Sequence, residues 1–484
     1  MTIGKHRRTH KITEGLNVKL FQMLNGGQTS HSLSGTGKEK CKYLKSMIEK
    51  ILTGGNLLQA MHQVQKNHGS AGVDHMPVTK LSEIMSIDRE ALVESVRSGK
   101  YLPQPILGVE IPKGNGKTRL LGIPTVTDRL LQQAVLQIIM ARFEFEFSDS
   151  SYGFRPYRSL HQAVLKSQSL INDGYQWIVD IDLKNFFDEV DHCLLLELLY
   201  RKIKCRETMR LIRKWLRAPI CINGKLVKRR KGMPQGSPLS PLLSNILLNE
   251  LDKELERLNL RFVRYADDFS IYTKTESEAR KVGNEIFVFL RDKLKLAINR
   301  EKSGIRRPVH FTILGFGFVP SFVKGEKGRY QLVVSKKSWS KLKEKLKTIT
   351  RKTTPMSFDE RVQKLNEVQQ GWVNNYRMAN ILAKLKDVDG WIRNRLRYCI
   401  WHHWKKPEKK RRSLIRLGVE TGKAYAYSRS RMGGWAIAQS PILVTTITME
   451  RLKKKGYMPM LDIYKRISPQ LNEPLYTRPV RTVV

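Results

Sequence analysis

Cysteine is sparse and scattered. The five residues Cys41, Cys193, Cys205, Cys221 and Cys399 are odd in number and never form a C-x-x-C pair, which argues against a disulfide framework and against a structural zinc site. No run of eighteen apolar residues occurs, and the basic start at Lys5, Arg7 and Arg8 has no uninterrupted apolar segment behind it. Neither a spanning helix nor a secretory leader is therefore expected, and the reading is a soluble intracellular protein. Acidic residues are also short: 44 against 88 lysines and arginines, a formal net charge of +44 on 484 residues. Such a chain is matched to a polyanion. Its length suffices for roughly two to four domains with a substantial core. His402 and His403 stand among Trp401, Trp404, Lys405 and Lys406 with no clustered Cys or carboxylate, so they do not read as metal ligands.

Arg261–Thr273 (RFVRYADDFSIYT) holds two aromatic and β-branched runs that meet at Asp267 and Asp268, the pattern of a β-hairpin. Adjacent carboxylates repel unless a cation or a hydrogen-bond network compensates. The string alone is weak, since aromatic-x-Asp-Asp arises by chance in roughly one chain in ten of this length, and aspartates also favour polar turns.

Upstream, residues 1 to about 55 are polar and basic with a Gly/Ser/Thr stretch at Gly26–Lys38, an extension rather than a core. Leu57, Leu58, Met61 and Val64 have helical spacing. Tyr101–Pro124 reads as a basic hairpin about a Gly-Asn-Gly turn, carrying Lys113, Lys117 and Arg119 as cations able to clamp a triphosphate. A helix over Asp128–Phe143 follows, and then a Gly/Pro-broken loop with Arg155 and Arg158 as candidates for backbone-phosphate contacts. WIVDID (Trp177–Asp182) reads as a buried strand; period two puts Asp180 and Asp182 on one face, so facing alone does not choose the ligand. Phe186 and Phe187 come next. Ile220–Gly232 reads as a second basic hairpin about Asn223-Gly224. Gly232–Leu255 (GMPQGSPLSPLLSNILLNELDKEL) is a Pro/Gly-rich loop ahead of a helix striped by Leu243, Leu247, Leu251 and Leu255. Further on, Lys336–Trp404 carries three apolar helical stripes, the second opened by a Ser357/Glu360 capping box. Lys341, Lys343, Lys345, Lys347, Arg393, Arg395 and Arg397 are assigned to exposed faces suited to a phosphate backbone. Lys405–Arg416, with Lys409, Lys410, Arg411 and Arg412, reads as a cationic linker.

Carboxylates on neighbouring strands, a basic hairpin and a Pro/Gly loop ahead of a long helix are the parts needed for nucleotidyl transfer with two magnesium ions. VDIDLKNFFDEVDH, MPQGSPLSPLLSN and RYADDF, in that order, resemble the palm motifs of group II intron-encoded reverse transcriptases, also called maturases. IPKGNGKTRLLGIPTVTDRLLQQA and SYGFRPYRS resemble the finger motifs of that family, and FTILGFGF, GWVNNYR and SPILVTTITMERLKKKGY continue the likeness downstream. The resemblance runs from about residue 56 to 467.

It implies an α+β right-hand polymerase: an N-terminal extension (1–55), fingers and palm with an antiparallel sheet (56–335), a helical thumb or maturase X domain (336–404), and a basic linker with a DNA-binding region (405–484). It makes Asp182, Asp267 and Asp268 the catalytic and metal-holding carboxylates, with Asp182 and Asp267 ligating directly and Asp268 supporting. Asp180 becomes accessory. Phe187 is implied as the gate against a ribose 2′-hydroxyl. Lys113 and Arg119 would contact the triphosphate, Gln235 would lie against the nascent base pair, and Lys302 is a further cation candidate near the leaving group. Implied partners are group II intron RNA, an RNA template with a DNA primer, target DNA and deoxynucleoside triphosphates, in the bacterial cytoplasm and nucleoid. A terminal Cys/His-rich nuclease domain is not expected. The alternatives are a non-enzymatic RNA-binding splicing cofactor and a reverse transcriptase recruited to bacterial defence.

Overall fold

The computed structural model describes residues 47–114, 116–321 and 328–467. Most of the expected extension thus lies outside the described residues. Helix and sheet are mixed throughout, and among the described residues no helix is long and apolar enough to cross a membrane.

Ile106–Gly114 (β1) and Lys117–Ile123 (β2) form the first basic hairpin, pairing Ile111 with Arg119. The second, Ile220–Ile222 (β4) with Lys225–Val227 (β5), turns at Asn223 (φ +50°) and Gly224 (φ +78°). Two successive positive φ values suit the right-handed twist of a two-residue hairpin, and Asn-Gly adopts them at low cost. β4 joins β1 in parallel, giving the order β2-β1-β4-β5.

Trp177–Ile181 (β3), Arg261–Tyr265 (β6), Asp268–Thr273 (β7) and Gly304–Arg306 (β8) form an antiparallel sheet in the order β6-β7-β3-β8. Alternation splits its side chains between two cores. Val179, Ile181, Phe262, Phe269 and Ile271 enter one, with the helices Val126–Glu144, Ser240–Arg257 and Glu276–Asp292. Ile178, Val263 and Tyr272 enter the other, with the helix Leu160–Asn172 and a three-stranded sheet of Thr312–Ile313 (β9), Phe316–Pro320 (β10) and Tyr330–Val334 (β11). A sheet covered on both faces can expose chemistry only at its strand ends.

The three expected apolar stripes are the helices Lys336–Ile349, Phe358–Tyr376 and Leu382–His403, and Ser357 accepts the Glu360 N–H at the start of the second. Asp389, in the third, is buried; it accepts the backbone N–H groups of Met460 and Leu461 at 2.9 Å each and so fastens the helix Met460–Ile467 to the helical bundle. The stretch expected as a cationic linker is a helix, Pro407–Arg416, begun at a proline and held by the buried Leu414. Its basic residues mask one apolar stripe position, so composition alone misreads it.

Beneath the β6–β7 turn lies Arg264, with 0% side-chain exposure. Its guanidinium binds both oxygens of Asp252 at 2.7 and 2.5 Å, and donates to Asn245 Oδ1 and the Ala266 carbonyl at 3.0 Å each. Burial pushes the Asp252 carboxyl up and Arg264 pulls it back. Removing one partner leaves a buried charge without its counterion. Asp252→Ala is expected to cost about 3–5 kcal/mol, seen as a lower urea midpoint; an unchanged midpoint would show that the pair does not hold this region together.

Candidate active site

β6 and β7 are joined by Ala266 and Asp267 alone, since Tyr265 pairs with Asp268. Ala266 takes φ +59°, which permits the two-residue turn at some cost to an L residue. The turn is braced from outside. Tyr152 N–H donates to the Arg264 carbonyl at 2.9 Å, Asn245 Nδ2 donates to the Gly153 carbonyl at 2.9 Å, and a Cβ on Gly153 would stand 2.3 Å from the Ala266 nitrogen. Only glycine allows that approach.

Ile181 pairs with Phe269, so Asp182, one residue beyond β3, is opposite Asp268, and period two places Asp180, Asp182 and Asp268 on the same face. Asp182 is fixed by its backbone: its N–H donates to Ser303 Oγ at 3.0 Å and its carbonyl accepts from Asn299 N–H at 2.8 Å. Its Oδ2 takes Asn299 Nδ2 at 3.0 Å and Lys302 Nζ at 3.3 Å. Asp180 is paired with Arg306 Nε at 3.0 Å, and the same guanidinium holds the Lys302 carbonyl at 2.6 Å.

Negative charge is undercompensated here. Desolvation and then the charges of Asp267, Asp182 and Asp180 push Asp268 up to about 6. Asp268 is exposed by surface area yet closely surrounded by protein, so the shift carries direction rather than a stability figure. Asp267 is also raised, chiefly by desolvation, with Arg119 on β2 opposing the shift. Asp180 is raised by desolvation against the pull of Arg306. Among the described residues no three His, Cys, Asp or Glu side chains are gathered to chelate an ion. The donor chemistry nonetheless fits: hard carboxylate oxygens with unbalanced charge suit a hard divalent cation such as magnesium.

The Pro/Gly loop knits the neighbouring wall. Met233 N–H donates to the Phe187 carbonyl at 2.7 Å, and Gly122 N–H to the Gln235 carbonyl at 2.8 Å. Gly236, at φ +118°, passes so near β2 that a Cβ would lie 2.7 Å from the Gly122 carbonyl. Phe187 is half-buried, edge-on to the buried Phe186 at 5.3 Å. A cavity of about 420 Å³ includes Gly122 and Gln235 in its lining, but none of Asp182, Asp267 and Asp268.

The remaining expected residues divide. The Lys113 and Lys117 side chains lie outside the described residues. Arg155 does not face outward: at 9% exposure it donates to the carbonyls of Ser148 and Ser151 at 2.6 and 2.8 Å and to Glu144 Oε1 at 2.9 Å. Arg158 pairs with exposed Asp149 at 2.5 Å. Arg397, at 2% exposure, is spent on the Ile447 and Val444 carbonyls and Asn394, and Arg395 on Thr350 and the Lys347 carbonyl. Both stitch segments together instead of facing a phosphate backbone, and Arg393 is only half-exposed. Lys341, Lys343, Lys345, Lys347, Lys409 and Arg412 are exposed; Lys410 lies 4.5 Å over the Trp401 ring, and Arg411 pairs with Glu408. Sequence reasoning missed Arg264, Asp252 and Asn245. Their signal is polar residues at positions whose periodicity assigns them to the core.

The family description "Reverse transcriptase (RNA-dependent DNA polymerase)" matches residues 111–318, and "Group II intron, maturase-specific domain" matches residues 339–418. The chain is 33% identical over 278 residues to protein YkfC of Escherichia coli (strain K12), covering 50% of this chain and 73% of YkfC. It is 42% identical over 196 residues to the group II intron-encoded protein LtrA of Lactococcus lactis subsp. cremoris, covering 40% of this chain and 32% of LtrA. The latter match thus spans about a third of that relative. A solved partial Cas6-RT-Cas1–Cas2 complex overlaps 51% of this chain and 43% of its own at 26% identity, with a TM-score of 0.34.

Asp268 gives a pH signature. Its folded value of about 6 lies above the ordinary 3.8, so the folded chain holds that proton more tightly than the unfolded one. Its stabilising contribution is complete below the ordinary value and is lost as pH rises through about 6. Thermal melts without divalent cations should show this decline, and Asp268→Asn should flatten it. Parallel curves for the two proteins would discount Asp268 as the source.

Proposed function

The chain belongs to the family of reverse transcriptases encoded by group II introns, and from that membership we propose that it extends a DNA primer on an RNA template at the end of the β3–β7 sheet. The observation that carries the reading is the convergence of Asp182, Asp267 and Asp268 on one sheet end, within electrostatic reach of one another though not at chelating distance, with Arg119 also in reach. Asp182 and Asp267 would hold magnesium, with Asp268 supporting. When bound, two such ions supply Lewis-acid activation of the primer 3′-hydroxyl and offset charge on the leaving pyrophosphate.

The chain's own residues do the positioning. Arg119 and Lys113 bind the incoming triphosphate. Phe187 and Gln235 form the wall beside the sugar and base, with Phe187 excluding a 2′-hydroxyl. Asn299 and Lys302 orient Asp182, and Arg306 steadies Asp180 and the Lys302 turn together. Catalysis is then largely a matter of orientation and fixed charge.

The sheets through residue 335 are assigned to fingers and palm, the helices of 336–404 to the thumb or maturase domain, and 405–484, which opens on the helix Pro407–Arg416, to a basic DNA-binding region. Exposed lysines on Lys336–Ile349 give this part a track for a phosphate backbone. The intron's own RNA is the proposed ligand, its splicing is assisted, and it is copied at a DNA target. A purely structural splicing cofactor would have no use for carboxylates held at uncompensated charge.

Primer extension on an RNA template with deoxynucleotides and magnesium is the test. Asp267→Asn should lower the rate by at least about a hundredfold, and a variant as fast as the parent chain would overturn the assignment. Binding of the RNA should weaken steeply and log-linearly with salt; a flat response would remove the electrostatic part of the reading.

A further inference from the structure

Phe154 and Tyr157 are two aromatic residues three positions apart, both in the left-handed region at φ +60° and +59°. Tyr157 is 93% exposed and Phe154 48%. Arg158 N–H donates to the Arg155 carbonyl at 3.4 Å, closing a turn with Pro156 second and Tyr157 third. With proline second, a positive φ at the third place belongs to glycine or asparagine. A bulky side chain there strains the backbone, and a ring open to solvent gains no burial to offset the strain. The fold therefore does not account for the Tyr157 ring, and it covers only about half of Phe154.

The loop that carries them is fastened to the catalytic turn through its backbone. Arg155 points inward to Ser148, Ser151 and Glu144. Gly153 is held by Asn245 and lies against Ala266, the residue before Asp267. Phe154 thus follows directly on the contact with the turn. The adjoining cation is Arg158, 5.8 Å over the Tyr152 ring and paired with the exposed Asp149, on a chain whose net charge of +44 selects polyanions.

We propose that Phe154 and Tyr157 form a stacking surface for unpaired nucleotides of the nucleic acid brought to the catalytic turn. The inference rests on the polymerase reading and deepens it. Unpaired bases are the fitting occupant because they offer a π-face to a ring, whereas bases inside a duplex are already stacked on one another.

The experiment measures fluorescence anisotropy of labelled RNA–DNA duplexes without deoxynucleotides, one blunt and one with an unpaired template overhang. Tyr157→Ala is expected to raise Kd for the overhang duplex roughly tenfold while leaving the blunt duplex unchanged. Tyr157→Phe keeps the ring and should bind as the parent chain does. Tyr157→Gly relieves the backbone and removes the ring, so it should bind as weakly as Tyr157→Ala while melting no lower than the parent chain, which separates stacking from folding. An abasic overhang should erase the difference between parent chain and Tyr157→Ala. Equal affinities for the overhang duplex, or equal losses on both duplexes, would overturn the stacking surface. The outcomes separate from the polymerase reading: a parent chain that extends primers while Tyr157→Ala binds normally defeats this inference alone, and a parent chain that extends none defeats the reading beneath it.

Discussion

A guanidinium with no exposed surface sits directly below the turn that carries Asp267. Such a charge is costly to bury, and its partner makes it tolerable only through close geometry and use of most of its donors. Arg264 meets those terms: Asp252 takes two donors, and Asn245 with the Ala266 carbonyl share a third nitrogen. The pair therefore sets the helix Ser240–Arg257 against the turn, and Asn245 passes the constraint on to Gly153. Hydrophobic contact alone would hold these elements together without fixing their register, because it has no direction. The neighbouring carboxylates repel one another, and a turn bearing them is kept in place by the bonds underneath it.

Much of this was legible in the chain. Period two gave the strand at Trp177–Asp182 and the hairpin at Arg261–Thr273, Asn-Gly gave the second basic turn, and helical spacing gave the three helices after Lys336. The close meeting of Asp182 with Asp268 was not legible from either segment, since strand pairing is decided by partners more than 80 residues apart in sequence. The buried pair was hidden for a related reason: Arg264 and Asp252 look like surface charges until the periodicity of their own elements is followed inward. Arg155 and Arg397 turn inward unannounced for the same cause, because charge by itself does not report direction.

Several arginines are spent inside this molecule. Arg155, Arg361 and Arg397 are buried and bind carbonyls at loop ends and helix termini, where a planar fork satisfies several acceptors at once. The lysines of Lys336–Ile349 remain outside. Formal charge thus overstates what a polyanion meets, because part of it is enclosed with these arginines.

The contact between Gly153 and Ala266 bears on how such a sequence can drift. A side chain at 153 displaces the turn, and a larger residue at 266 strains a left-handed backbone. Both limits are set by backbone, at 153 by the Ala266 nitrogen and at 266 by its own φ. The two segments are more than a hundred residues apart, yet this backbone contact makes them one unit of shape, so a displacement of the loop is felt at the turn.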